Sequence, residues 1–134
     1  MLRDQRVHTT LHATDMERAK RFYADVLELL PSAEFPFALI YDCGDGTRFT
    51  VSLTSGEVPG TFTQMSFVVD DINYEVAQLK ERGLAFEAYD SVDVTTIEGI
   101  ADQGVLKGAW FKDSEGNLIG LVELSEQFRL PVPD

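Results

Sequence analysis

The chain of 134 residues contains one cysteine, Cys43. An intrachain disulfide is therefore impossible, no cysteine cluster can hold zinc or an iron–sulfur centre, and a reducing compartment is the default. Positive charge is scarce: 11 Lys and Arg stand against 23 Asp and Glu, a formal net charge of -12 with both histidines neutral. Nucleic acid and anionic membrane surfaces need the opposite field, so neither is expected as a partner. Long apolar runs are missing as well. Residues 1–7 mix both signs of charge and do not read as a signal peptide, and no later stretch reaches membrane-spanning length. The expected location is cytoplasmic. No glycine-rich phosphate loop precedes a helix, and no G-x-S-x-G elbow occurs. Cys43 sits beside Asp42 and Asp45, whose negative charge raises a thiol pKa and argues against a nucleophile.

What is present is an apolar fraction of 44%, enough for the core of one domain. Residues 7–13 read as a strand. Asp15 caps a helix whose apolar positions, from Met16 through Phe22 and Tyr23 to Leu30, recur at spacings of three and four; Pro31 ends it. Strands follow at 37–41 and 48–53, joined by a turn rich in glycine and aspartate. Residues 54–62, with Gly56, Pro59 and Gly60, read as a linker. The plan then restarts: a strand at 63–69, a helix capped by Asp70-Asp71 with an inner stripe of Ile72, Val76 and Leu79, Gly83 at its end, a strand at 84–89, and a long loop over 91–107. Strands at 108–112 and 118–124 flank the turn from Asp113 to Asn117, where Asp113 reads as a turn former.

This is a βαβββ unit used twice. Asp15-Met16 and Asp71-Ile72 are 56 positions apart, and the same offset carries His8 onto Gln64. The expected fold is α+β: one domain over 1–134, built from modules 7–57 and 62–124 with a tail at 125–134, whose curved mixed sheet surrounds a cavity. A ferredoxin-like fold needs fewer strands after each helix. Two curved sheets also leave edges that need cover, which favours a homodimer.

Strand alternation divides the side chains between two faces. Leu11, Ala13, Phe49, Val51, Met65, Phe67 and Val69 fall on the helix side. His8, His12, Arg48, Thr50, Ser52, Gln64 and Ser66 fall on the other, which is expected to look into the cavity, a polar set that needs partners in water or a ligand. His8 and His12 have the titration range for acid–base work. Arg48 suits an anionic group on a small ligand. Phe35, Phe37, Tyr41, Trp110 and Phe111 are candidates for an apolar wall. Trp110 and Phe111 are strand neighbours, so at most one of them faces the cavity. Tyr23 reads as packed between helix and sheet.

Three strings, "HTTLHATDMERAKRFYADVLEL", "QMSFVVDDINYEVAQLKERGLAFE" and "AWFKDSEGNLIGLVEL", resemble the vicinal oxygen chelate superfamily of glyoxalases, bleomycin-resistance proteins and extradiol dioxygenases. Phe22-Tyr23 with Val26-Leu27 is similar to that family's "FY..VLG" helix, with Glu28 in place of the glycine. "FKDSEGN" is similar to its "F.DPDGN" turn, with Ser114 in place of proline. The resemblance implies metal-ligand positions at His8, at Gln64, at Ser52 (or Thr50 with the register shifted by two) and at Gly120, where the family's metal enzymes normally carry glutamate. Only His8 and Gln64 match a ligand type, and neither is anionic, so a divalent metal is disfavoured and no cofactor is expected. Family members also form dimers.

The reading that follows is a metal-independent small-molecule-binding protein that binds or sequesters a small aromatic or cationic compound, with Arg48, Thr50, Ser52, Gln64, Ser66 and Trp110 as ligand-binding residues. One alternative is a lyase, isomerase or dioxygenase-like enzyme of unassigned substrate that uses His8 and His12 as acid–base groups and Arg48 as anchor. A second is a non-catalytic structural or regulatory module.

Overall fold

Asp15 and Asp71 open the two helices in the same way. Each has extended backbone, and its carboxylate accepts a hydrogen bond from the amide three residues on: Arg18 N at 3.0 Å and Tyr74 N at 3.2 Å. These bonds satisfy amides that the first helical turn leaves without partners. Helix α1 spans Met16–Asp25 and α2 spans Ile72–Glu81, so both ends of the second lie 56 positions beyond those of the first. The computed structural model describes residues 1–55 and 62–126. Most of the expected linker and tail fall outside these.

The first module forms a sheet from β1 (Thr9–Ala13), β2 (Ala33–Phe35), β3 (Ala38–Asp42) and β4 (Arg48–Leu53), in the order β1-β4-β3-β2. The second repeats it with β5 (Met65–Val68), β6 (Ala101–Asp102), β7 (Leu106–Lys112) and β8 (Leu118–Leu124), in the order β5-β8-β7-β6. In each, the first strand runs parallel to the last and the other pairings are antiparallel. The architecture is the expected α+β pair of βαβββ modules. Among the described residues no helix is long and apolar enough to cross a membrane.

Strand ends shift by one or two residues from the sequence pattern, and three elements differ more. Helix α1 stops at Asp25, well before Pro31, because Glu28 takes a left-handed backbone with φ of 58°. Leu27 and Leu29 remain partly buried against the core, so the apolar spacing continues where the helix does not. Residues 33–35 form a short edge strand that their mixed composition conceals. The expected strand at 84–89 makes only an isolated bridge, Phe86 to Phe111, and the fourth strand is β6, inside the expected loop.

The helix-side faces of both sheets meet in one core. Leu11, Tyr41, Phe49 and Val51 of the first sheet pack in the same cluster as Phe111, Ile119 and Leu121 of the second, with Tyr23 from α1 and the stripe Ile72, Val76 and Leu79 from α2. Phe49 and Phe67 meet edge to face at 6.1 Å, directly across the two modules. With these faces buried, the other face of each sheet is turned outward.

Candidate functional site

On the first sheet's outward face, register sets two rows. Thr10 lies opposite Thr50, which lies opposite Ile40; His12 lies opposite Ser52, which lies opposite Ala38, itself opposite Phe35. His12 is exposed, while Thr50 and Ser52 are half-buried. His8 is exposed and precedes β1. Arg48 lies opposite Asp42, and its Nε donates to Asp42 Oδ1 at 2.6 Å. That bond from Arg48, then one from Ser32, holds the Asp42 carboxyl below its ordinary value. The arginine thus has an intramolecular carboxylate where a ligand anion was expected. Phe35 and Phe37, both exposed, stack at 5.8 Å beside this face.

On the second sheet's outward face, Ser66 lies opposite Gly120, which lies opposite Trp110. Two glycines shape this surface. A Cβ on Gly108 would stand 3.0 Å from Trp110 Cη2, so the indole folds back over the glycine two residues earlier in β7. A Cβ on Gly120 would stand 2.6 Å from Ser66 Oγ and 3.3 Å from Thr63 Cγ2. Tyr89 meets the indole edge to face at 5.5 Å. The result is an aromatic pair on a smooth floor, with the Ser66 hydroxyl alongside. Tyr41 and Phe111, the other candidates for an apolar wall, are wholly buried in the core.

Gln64 and His12 are joined through Asn117. Gln64 Nε2 donates to Asn117 Oδ1 at 3.2 Å, and Gln64 Oε1 accepts from Leu118 N at 3.1 Å. Asn117 in turn pairs with the His12 backbone, Oδ1 accepting from His12 N at 3.3 Å and Nδ2 donating to His12 O at 2.8 Å. The Gln64 amide is engaged at both ends, and the space beside Gly120 is taken by Ser66 and Thr63. Among the described residues no group of three or more His, Cys, Asp or Glu is placed to hold an ion. The donor set at His8, Ser52, Gln64 and Gly120 does not fit a divalent cation, which needs charged or well-matched oxygen and nitrogen ligands.

The turn 113–117 does more than reverse the chain. Glu115 reaches the start of α1, where its Oε1 accepts from Thr14 N at 2.9 Å and Asp15 N at 3.1 Å, and its Oε2 lies 2.6 Å from Arg18 Nε. Burial pushes the Glu115 carboxyl up, but the bonds from Arg18, Asp15, Thr14 and Ser114 outweigh it and bring it down to about 2. Asp113 is buried and accepts from Tyr23 Oη, Glu115 N and Asn117 N. The bonds of Glu115 to residues 14–18 and of Asp113 to Tyr23 span 90 to 101 positions, and no local signal announces them. Tyr89 likewise joins Trp110 with no periodic cue. Two cavities among the described residues, one beside Gln103 and Ser125 and one between α2 and the segment leaving α1, are lined by none of His8, His12, Arg48, Thr50, Ser52, Gln64, Ser66 or Trp110.

The sequence matches the family model described as Glyoxalase/Bleomycin resistance protein/Dioxygenase superfamily over residues 5–121. No curated protein matches it significantly. Among solved structures, a glyoxalase family protein from Bacillus anthracis superposes with a TM-score of 0.70 at 16% identity, covering 90% of this chain and 96% of that one. The fosfomycin resistance protein FosX from Listeria monocytogenes gives 0.68 at 15%, covering 94% and 98%. TnmS3, an antibiotic binding protein from Streptomyces sp. CB03234, gives 0.66 at 23%, covering 90% and 98%. At these identities the likeness is one of fold.

Proposed function

The chain belongs to the glyoxalase/bleomycin resistance protein/dioxygenase superfamily, and we propose that it is a metal-independent member that binds or sequesters a small planar aromatic or cationic compound on its outward sheet faces. The observation that carries this reading is the Trp110 indole laid over Gly108, with Tyr89 against its edge. A half-buried indole on a smooth floor offers stacking area and an attractive face for a cation. A net charge of -12 draws cations towards the molecule. Ser66 and Thr50 supply hydroxyls, and Ser52 and His12 a second polar row. TnmS3, a structural neighbour, is an antibiotic binding protein, which supports small-molecule binding as a use of this fold.

The working form is a cytoplasmic homodimer. Each outward face lies open in one chain, with Phe35 and Phe37 exposed on one sheet and Val68 69% exposed on the other. A second copy that covers these apolar groups turns two open faces into an enclosed pocket.

The test uses the only tryptophan in the chain, whose emission reports on Trp110 alone. Proflavine, a planar aromatic cation, is titrated into the metal-stripped protein. Saturable quenching at one equivalent per protomer, unchanged by chelator, is the expected result. No quenching by proflavine, together with one equivalent of divalent metal that is lost in His8→Ala, overturns the proposal. Sedimentation of a monomer at micromolar concentration overturns the homodimer.

A further inference from the structure

A cavity of about 400 Å³ lies at the seam between the modules, on the side of the second sheet away from Trp110. Its floor is apolar, made by Phe67, Phe111 and Leu121 with Leu79 of α2; Leu27 and Leu29, from the segment that leaves α1, form a wall. The volume is in the range of small-molecule sites. One cation lines it: Arg82, at the C-cap of α2. Arg82 Nη1 donates to Val26 O at 3.2 Å, and Nη2 lies 2.9 Å from Glu28 Oε1.

The two members of this ion pair are unequal. The Arg82 side chain is 30% exposed, whereas that of Glu28 is 69% exposed. Glu28 also holds a φ of 58°, a left-handed conformation that side chains with a Cβ seldom adopt. The guanidinium is therefore fixed at the edge of a cavity with an apolar floor, while its carboxylate partner is solvated and on unfavourable backbone.

We propose that this cavity is a second binding site, for an amphipathic monocarboxylate. The apolar tail lies on Phe67, Phe111 and Leu121, and the carboxylate takes the place of Glu28 on Arg82. A guanidinium presents paired N–H donors that match a carboxylate. Glu28 is an internal stand-in for that carboxylate, and displacing it costs little because its side chain is already largely solvated. Glu75 also lines the cavity, seven residues before Arg82, or about 10 Å along the helix axis. It meets the far end of the ligand and rejects a second carboxylate there, so monoacids bind in preference to diacids.

The test is calorimetric titration of the whole protein with octanoate, 1-octanol and octylamine, which share a tail. Octanoate binds at one per chain, and the alcohol and amine bind at least about tenfold more weakly. Glu28→Gly removes the competing carboxylate and tightens octanoate by roughly three- to tenfold, since more Arg82 is free to bind. Arg82→Gln weakens octanoate by about tenfold or more. Trp110→Phe leaves octanoate affinity unchanged, which separates this site from the aromatic one. Equal binding of octanoate and octanol, no gain in Glu28→Gly, or loss of octanoate in Trp110→Phe each overturns the proposal. If Arg82→Gln fails to fold, the Glu28→Gly result decides, because glycine suits that backbone.

Discussion

Tyr23 in α1 donates its hydroxyl hydrogen to Asp113 Oδ2 at 2.7 Å, across 90 positions of sequence and from one module to the other. Both groups are buried. Burial, then the nearby Asp113 carboxyl, pushes the tyrosine hydroxyl well above its ordinary pKa, so it serves as a donor at any physiological pH. Asp113 in turn organises the turn whose Asn117 and Glu115 hold the strand β1 and the start of α1. The contact therefore ties the packing of α1 to the second-module turn that also holds β1 and the start of that helix.

Tyr23 and Tyr41 make a contrasting pair for mutation. Their rings pack at 5.2 Å, both wholly buried. The Tyr41 hydroxyl has no hydrogen-bond partner among the described residues. Tyr23→Phe leaves a buried carboxylate short of one donor and costs about 1.5–3 kcal/mol. Tyr41→Phe removes a hydroxyl that gains nothing in the fold, so stability is unchanged or rises by up to about 1 kcal/mol. Urea unfolding of the two variants checks the difference. Equal losses would sink the account.

Glu115 sets an acid limit on the fold. Its carboxyl falls from an ordinary 4.5 to about 2 in the folded chain. The folded value lies below the unfolded one, so the stabilisation is fully present above about pH 4.5. It is lost as pH falls from there towards 2. Screening at half-exposed Arg18 limits the contribution to on the order of 2 kcal/mol. Glu115→Gln removes this dependence. The difference in unfolding free energy between wild type and variant should shrink as pH drops from 5 to about 2. A difference that stays constant over that range contradicts the assignment.

The sequence pattern carried most of the fold because its signals are local. Asp71, the stripe Ile72, Val76 and Leu79, and Gly83 mark α2 within a dozen residues, and alternation placed Leu11, Val51 and Phe67 on the helix side. It misplaced the end of α1 because Val26, Leu27 and Leu30 keep helical spacing, while the break comes from a backbone angle at Glu28. The site was legible in outline only. Arg48 reads as a free cation until strand pairing sets Asp42 opposite it. Trp110 gains its setting from Gly108 beneath and from Tyr89, brought in by a segment that makes only an isolated bridge to β7. Contacts such as Tyr23 with Asp113 depend on how two modules dock, which periodicity within either module does not encode.

Gly120 stands where the resemblance places an acidic metal ligand, and its neighbours show why no side chain fits there now. A Cβ at that position would lie 2.6 Å from Ser66 Oγ, closer than non-bonded atoms tolerate, and 3.3 Å from Thr63 Cγ2. Gly120→Ala alone forces Ser66 to turn and strains β5 against β8, at a cost of about 1–3 kcal/mol. Ser66→Ala alone removes an exposed hydroxyl and costs within about 0.5 kcal/mol. In the double variant the offending oxygen is gone and the Ser66 Cβ, 3.5 Å away, makes an ordinary contact. The two substitutions should therefore couple favourably by about 1 kcal/mol or more, leaving the double variant more stable than Gly120→Ala. A thermal or urea cycle over the four proteins reads this directly. Additive losses would mean that Thr63, not Ser66, enforces the glycine, and a Thr63→Ser cycle would then recover the stability.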